Sequence, residues 1–316
     1  MMQFFLLLKE MLPINKSKVV FLLSAVLLCG LTLSVSIQSA ELLVLYPEVR
    51  APFSKVFEDI SSGAEEGFDG RSSSEAINKK RSADKLLNRK NPDVVLALGK
   101  RSLASLEAAN SKTPIVLGAV SNQQHDYPGI SMVPDPKVIL EKLALLSPSV
   151  GRIHVVKKSK GPDLQLEGAS DYLSLTGKEL VVHESEDLRS AANIYARLID
   201  EAKENDAVWI LQDGSYVNSA ILSLLLDAAW SKNLIVFSSN PIHVKHGALF
   251  AVYPDNRNMG ESLGQLANQV LDGSAEPGMK TLKDTLLAVN ERTSNHLGIS
   301  LSKEVKEKVN LLLPAR

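Results

Sequence analysis

The chain has 316 residues, of which 35 are Lys or Arg and 36 are Asp or Glu, for a formal net charge of −1. That balance excludes a general nucleic-acid binder, which presents a basic stripe. A single cysteine, Cys29, excludes a disulfide framework, and the length suits two domains rather than one.

Residues 1–18 carry Lys9, Lys16 and Lys18, and Val19–Val35 is mostly apolar. Small residues follow in Ser34-Val35-Ser36 and Ser39-Ala40. Basic, apolar and small-residue segments in that order predict a secretory signal over 1–40. Its point of cleavage stays open, because Gln38 occupies the −3 position for a cut after Ala40. An uncleaved anchor is the alternative reading, but Gly30, Thr32, Ser34 and Ser36 dilute the apolar run. Leu28 stands where a lipid-attachment signal at Cys29 wants a small residue. A freely diffusing periplasmic protein is therefore expected. Without residues 1–40 it keeps 276 residues with 32 basic and 35 acidic side chains and no cysteine.

Leu42–Leu45 reads as a strand ending in Tyr46-Pro47-Glu48, and Pro52–Ile60 as a helix with proline in its first turn. Residues 61–74 are rich in Ser and Gly and carry no clear pattern. A helix is predicted over Glu75–Arg89, then a turn at Asn91-Pro92-Asp93 and the strand Val94–Leu98. The basic run Lys79-Lys80-Arg81 with Lys85, Arg89 and Lys90 is interleaved with Glu75 and Asp84, which suits a solvated helix face. Gly99-Lys100-Arg101-Ser102 opens a helix to Ala109, and Ile115–Leu117 ends in Gly118-Ala119-Val120-Ser121-Asn122. Asp135-Pro136 starts a helix to Leu146, broken by Ser147-Pro148-Ser149.

A second round of the same rhythm follows. Strands are predicted at Ile153–Val156, Glu179–Val182, Ala207–Leu211 and Leu234–Phe237, and helices at 164–176, 190–203 and 217–230. Ala248–Tyr253 is apolar, Asn258–Leu271 is a helix closed by Asp272-Gly273, and Leu286–Val289 is a last short strand. Short apolar runs alternating with helices predict an α/β fold built from parallel sheets flanked by helices. In such sheets ligands bind outside the carboxyl ends of the strands. Two neighbouring ends carry polar clusters here, Gln212-Asp213-Gly214-Ser215 and Ser238-Ser239-Asn240-Pro241.

Catalytic signatures are weak. No Gly-x-Ser-x-Gly elbow occurs. Gly99-Lys100 imitates the end of a phosphate loop, but Val94 stands where its first glycine belongs. His243 and His246 lack a second ligand pair, and Lys245 between them opposes a cation. Asp213 or Asp255 suits a general base, an ammonium partner or a helix cap alike. Neither cofactor nor metal is expected, and the protein is not read as an enzyme.

Several segments together resemble ABC-transporter substrate-binding proteins of the type I periplasmic-binding fold, in the branch with proposed tryptophan and tyrosine binders. They are Pro92–Gly99, Pro114–Val120, Val208–Asp213, Phe237–Pro241, Gly247–Ala251, Tyr253-Pro254-Asp255, Met259-Gly260, Ala288-Val289-Asn290 and His296–Ile299. The resemblance implies a two-lobed clamp with the ligand cleft between lobes and three crossings of the chain, near 147–150, 247–253 and 276–282. The first lobe would take 41–147 with about 250–276, and the second 148–249 with about 277–316. It also implies a monomer that hands a small organic solute, such as an amino acid, to an ABC permease. A membrane sensor as the partner, or an exported enzyme, are the alternatives.

For such a clamp, Ser121, Asn122, Gln212, Ser238, Ser239 and Asn240 supply neutral donors and acceptors at strand ends. Helix starts after Gly99 and Gly214 favour an anionic group. Asp213 suits a ligand ammonium, and Tyr46, Tyr216 or Tyr253 an aromatic stack. Tyr253 equally suits the packing of a hinge and Ser238–Asn240 a turn, whereas Trp209, mid-strand, reads as core.

Overall fold

Residues 39–120, 125–159, 165–166, 168–212 and 216–314 are described by a computed structural model of the chain. The signal segment, apart from Ser39 and Ala40, lies outside the described residues. Among those described, no helix is long and apolar enough to cross a membrane.

Thirteen strands form two sheets within the unit Ala40–Arg316. The first sheet holds β1 (Glu41–Pro47), β2 (Arg71–Ile77), β3 (Val94–Leu98), β4 (Ile115–Gly118), β5 (Gly129–Pro134) and β11 (Met279–Leu282). Its order is β11-β5-β4-β3-β1-β2, and every pairing is parallel. All five residues of β3 are buried, as a central parallel strand requires. Side chains alternate across the sheet. Leu42, Val44, Leu96 and Leu98 meet helices α1 (Phe53–Gly67) and α9 (Asn256–Asp272). Leu43, Leu45, Val95 and Ala97 meet α2 (Ala83–Lys90) and α3 (Lys100–Ala109).

Helices α1 and α9 touch through backbone. A Cβ on Gly63 would lie 1.9 Å from Arg257 O, and one on Gly260 would lie 2.1 Å from Ile60 O. Gly67 and Gly264, one turn further along each helix, are equally crowded by the partner helix or the residues that follow it. Glycine is required along this seam because nothing larger fits.

The second sheet runs β13-β12-β10-β9-β8-β6-β7. Its members are β6 (Arg152–Lys158), β7 (Glu179–Ser185), β8 (Asp206–Ile210), β9 (Ile235–Ser238), β10 (Phe250–Pro254), β12 (Thr285–Asn290) and β13 (Leu311–Leu313). Only the β10–β12 pair is antiparallel. One face packs Trp209, Phe237 and Phe250, stacked in series at 5.8 and 5.0 Å, with α4 (Pro136–Leu146) and α5 (Ala169–Leu175). The other packs Val156, Val208, Ile210 and Val236 under α6 (Leu188–Glu201) and α7 (Ser219–Lys232). Three short helices, α8 (Pro241–His246), α10 (Glu291–His296) and α11 (Lys303–Glu307), complete this lobe.

Two differences from the sequence reading bear on the layout of the lobes. Arg71–Ile77 is a strand, not the opening of a helix over Glu75–Arg89. It is the sheet's edge and only partly buried, so it needs no apolar face, and Ser72, Ser73 and Ser74 hide the pattern. Glu75 within it gathers Arg81, Arg89 and Lys90 from the basic run. The inter-sheet crossings also move. Helix α4 packs on the second sheet, β10 belongs to the second and β11 to the first. The chain therefore crosses at 134–136, 254–256 and 283–284, so Phe250–Pro254 lies in the second lobe and Met279–Leu282 in the first. An apolar helix face does not reveal which of two sheets it covers.

Hydrogen bonds join the three crossings. Asp135 N–H donates to Leu282 O (2.7 Å), and Thr281 Oγ1 donates to the Asp135 carboxylate (2.8 Å). Asp255 N–H donates to Asp284 O (3.0 Å), and Ser262 Oγ donates to the Asp284 carboxylate (2.6 Å).

Candidate functional site

Polar groups collect at the carboxyl ends of both sheets. In the first sheet Tyr46, half-buried at the end of β1, stacks on Phe57 of α1 with ring centroids 5.9 Å apart. On the neighbouring strand, Gly99 turns from β3 into α3 with φ +79°, a conformation that favours glycine. Its N–H donates to Gly118 O (2.8 Å), tying the ends of β3 and β4 together. Ser102 Oγ, fully buried in the first turn of α3, has no hydrogen-bond partner among the described residues. Ser121 and Asn122 lie outside the described residues.

The second sheet's ends are joined by a residue that sequence reasoning missed. Gln165 is 1% exposed. Its Oε1 accepts from Gln212 N–H, just beyond β8, and its Nε2 donates to Ser239 Oγ (3.0 Å), just beyond β9. Both ends of one amide are thus used to hold two strand ends together. Gln212 Oε1 is buried and lacks a hydrogen-bond partner among the described residues. A buried acceptor in that state costs about 1–3 kcal/mol unless something donates to it. Asp213, with Gly214 and Ser215, lies outside the described residues.

Ser238 and Asn240 are committed locally. Ser238 Oγ accepts from Asn240 N–H (3.1 Å) and sits 2.7 Å from His243 Nδ1. The hydroxyl is thus shared between a backbone amide and an imidazole nitrogen. Burial, with the His246 charge, pushes the His243 pKa down, so the ring stays neutral. Asn240 caps α8 by accepting from Ile242 N–H (3.0 Å). Tyr253 packs beside Val244, Ala251 and Ala288, and burial, then Asp255, push its hydroxyl pKa up. Tyr216 donates to Ser185 O (3.2 Å). Trp209 is fully buried. Among the described residues no cluster of three or more His, Cys, Asp or Glu is placed to hold a metal ion.

The structure thus joins Gln212 and Ser239 through Gln165 and ends neighbouring strands in Tyr46 and Gly99. These are neutral hydrogen-bonding groups with one aromatic surface, chemistry that holds a polar solute. Over residues 57–310 the chain matches the model of the family described as ABC transporter substrate binding protein. The chain belongs to that family.

This substrate-binding protein is also similar to solved structures. One is an ABC domain in complex with L-Trp from Streptococcus pneumoniae, with TM-score 0.55 and 18% identity, covering 87% of this chain and 100% of that one. Another is a ligand-free, open substrate-binding protein with adhesive properties from Clostridium difficile, with TM-score 0.63 and 16% identity, covering 88% and 100%. A conserved domain protein from Vibrio cholerae gives TM-score 0.53 and 17% identity, covering 87% and 99%. At these identities the likeness establishes the two-lobed fold. No curated protein matches the chain.

Proposed function

We propose that this substrate-binding protein is the exported, periplasmic component of an ABC importer and clamps a small organic solute of the amino-acid class between its lobes. The observation that carries the reading is the buried Gln212 Oε1 at a strand end, without a hydrogen-bond partner among the described residues, on a residue whose backbone the Gln165 bridge ties to Ser239. A ligand N–H or O–H donor satisfies that acceptor, as a ligand ammonium would. Asp213, one residue on, supplies the countercharge, and Tyr46 with Phe57 supplies an apolar surface. Ser121, Asn122 and the Gly99 turn bind from the first lobe. Closure turns on the three crossings at 134–136, 254–256 and 283–284, which move as one because they share hydrogen bonds.

Binding is favoured over chemistry because Ser238, which lies within reach of an imidazole at this site, is 1% exposed and already accepts from an amide. The test is thermal unfolding with single amino acids and short peptides, beginning with tryptophan and tyrosine. The ligand is expected to be recovered unchanged and to stabilise by about 2.7 kcal/mol at a hundredfold excess over Kd. Gln212→Ala is expected to weaken it about tenfold, equivalent to about 1.4 kcal/mol. If no zwitterion raises the melting temperature, the amino-acid assignment fails; turnover of the ligand would overturn the binding reading itself.

A further inference from the structure

The beginnings of the second sheet's strands carry a different chemistry. A cavity of about 510 Å³ opens there, lined by Arg152, His154, His183, Arg197, Glu201 and Lys203 together with apolar residues of α6. Arg152 and Lys203 stand at or just before the starts of β6 and β8, so the cavity lies toward the opposite end of the strands from Gln212 and Ser239. Beneath it Asp206, 4% exposed, receives both Nε and Nη2 of Arg152 (2.9 and 2.6 Å) and the Lys203 amide (2.8 Å). His154 Nε2 lies 3.5 Å from the Asp206 carboxylate without a hydrogen bond, and its Nδ1 lies 3.1 Å from His183 Nε2. The two rings stack at 5.4 Å.

We propose that this cavity is a second binding site, for a small oxyanion held by Arg197, Lys203 and the His183–His154 pair. Charge carries the argument. Asp206 neutralises Arg152, but Arg197 and Lys203 make no ion pair among the described residues, and Glu201 alone opposes them. His154 is turned to Asp206 and His183, so His183, which lines the same cavity as the two cations without an ion pair, is the imidazole left to meet an anion there. The groups facing His183 are Arg152 and His154 on β6, Asp206 on β8, Arg197 and Glu201 on α6, and Lys203 beyond it. Burial, then His154 and Arg197, lower the pKa of His183 in the empty site. An anion opposes that lowering, so binding takes up a proton and strengthens as pH falls through the titration of His183.

The experiment follows the His183 imidazole by NMR through a pH titration of the protein with sulfate, with acetate and with chloride at matched ionic strength. Sulfate stays a dianion across the range, so any pH dependence belongs to the protein. The expected result is an upward shift of about one pKa unit over the chloride control, equivalent to tenfold tighter binding to the protonated site. The sulfate and acetate arms distinguish a tetrahedral dianion from a carboxylate, and a shift in either supports the site. Arg197→Gln, an exposed position, is expected to abolish the shift. His183→Asn, followed through the His154 resonance, is expected to abolish the pH dependence of binding. An unmoved titration, or an equal shift in Arg197→Gln, overturns the proposal.

Discussion

The two lobes secure their layers by opposite means. In the first, helices α1 and α9 meet through glycine-lined backbone, and the flanking clusters are apolar. In the second, polar side chains cross-link both ends of the sheet: Gln165 between Gln212 and Ser239 at one, Arg152 and His154 around Asp206 at the other. Backbone contact tolerates no enlargement but is indifferent to pH. Side-chain networks tolerate relaxation but respond to protons and ligands. The difference predicts that protons and ligands perturb the second lobe more than the first.

The sharpest way to break this comparison is Gly260→Ala. Alanine gains about 1 kcal/mol of helix propensity over glycine. Its Cβ, however, would lie 2.1 Å from Ile60 O, a backbone atom that no rotamer change can move. The helices must part, uncovering Ile60, Ala64 and Leu263. A net loss of about 3 kcal/mol of unfolding free energy, read from urea denaturation, is expected; a neutral result would mean the seam is loose.

Asp206→Ala is the counterpart in the second lobe and is expected to cost less, about 2 kcal/mol. The lost carboxylate leaves the Lys203 amide unsatisfied, whereas Arg152, with a side chain 34% exposed, can turn to water. Gln165→Ala ranks third at about 1 kcal/mol, because two neutral hydrogen bonds vanish but Ser239 Oγ can reorient. It should also weaken solute binding by freeing Gln212. Unchanged affinity in that variant would separate the bridge from the site.

These differences were unequally legible in the chain. Val94–Leu98 announces a buried parallel strand because every residue is apolar. Arg71–Ile77 does not, because an edge strand meets no requirement for an apolar face and its neighbouring Glu75 mimics a helical charge pattern. The polar ends Gln212 and Ser238–Asn240 stood out where apolar runs stopped. Gln165 did not, since it lies 47 residues from Gln212 at the start of a segment read as helix. His154 and His183 meet only because strand register sets Val156 beside His183, information that exists after pairing and not before.

The smallest expected effect tests the comparison most finely. His183 and His243 both belong to the second lobe, and burial lowers the pKa of each below 6.5 in the folded state. As pH falls through 6.5 the unfolded chain binds protons that the native chain refuses. Stability is therefore complete above that pH and declines below it, until the folded-state values are passed. Asp206, pushed up by burial but held lower overall by Arg152, the Lys203 amide and His154, keeps its full contribution above its ordinary 3.8 and loses it only as pH falls below that, so the two windows separate. Both tryptophans, Trp209 and Trp230, lie in the second lobe, and their fluorescence reports that lobe alone. In urea at pH 5 the fluorescence transition should precede the far-ultraviolet circular dichroism transition, and at pH 7.5 the two should converge. His183→Gln combined with His243→Asn should remove most of the pH 5 shift. Coincident transitions at both pH values would show that the lobes unfold as one, and the predicted difference in response between them would then fail.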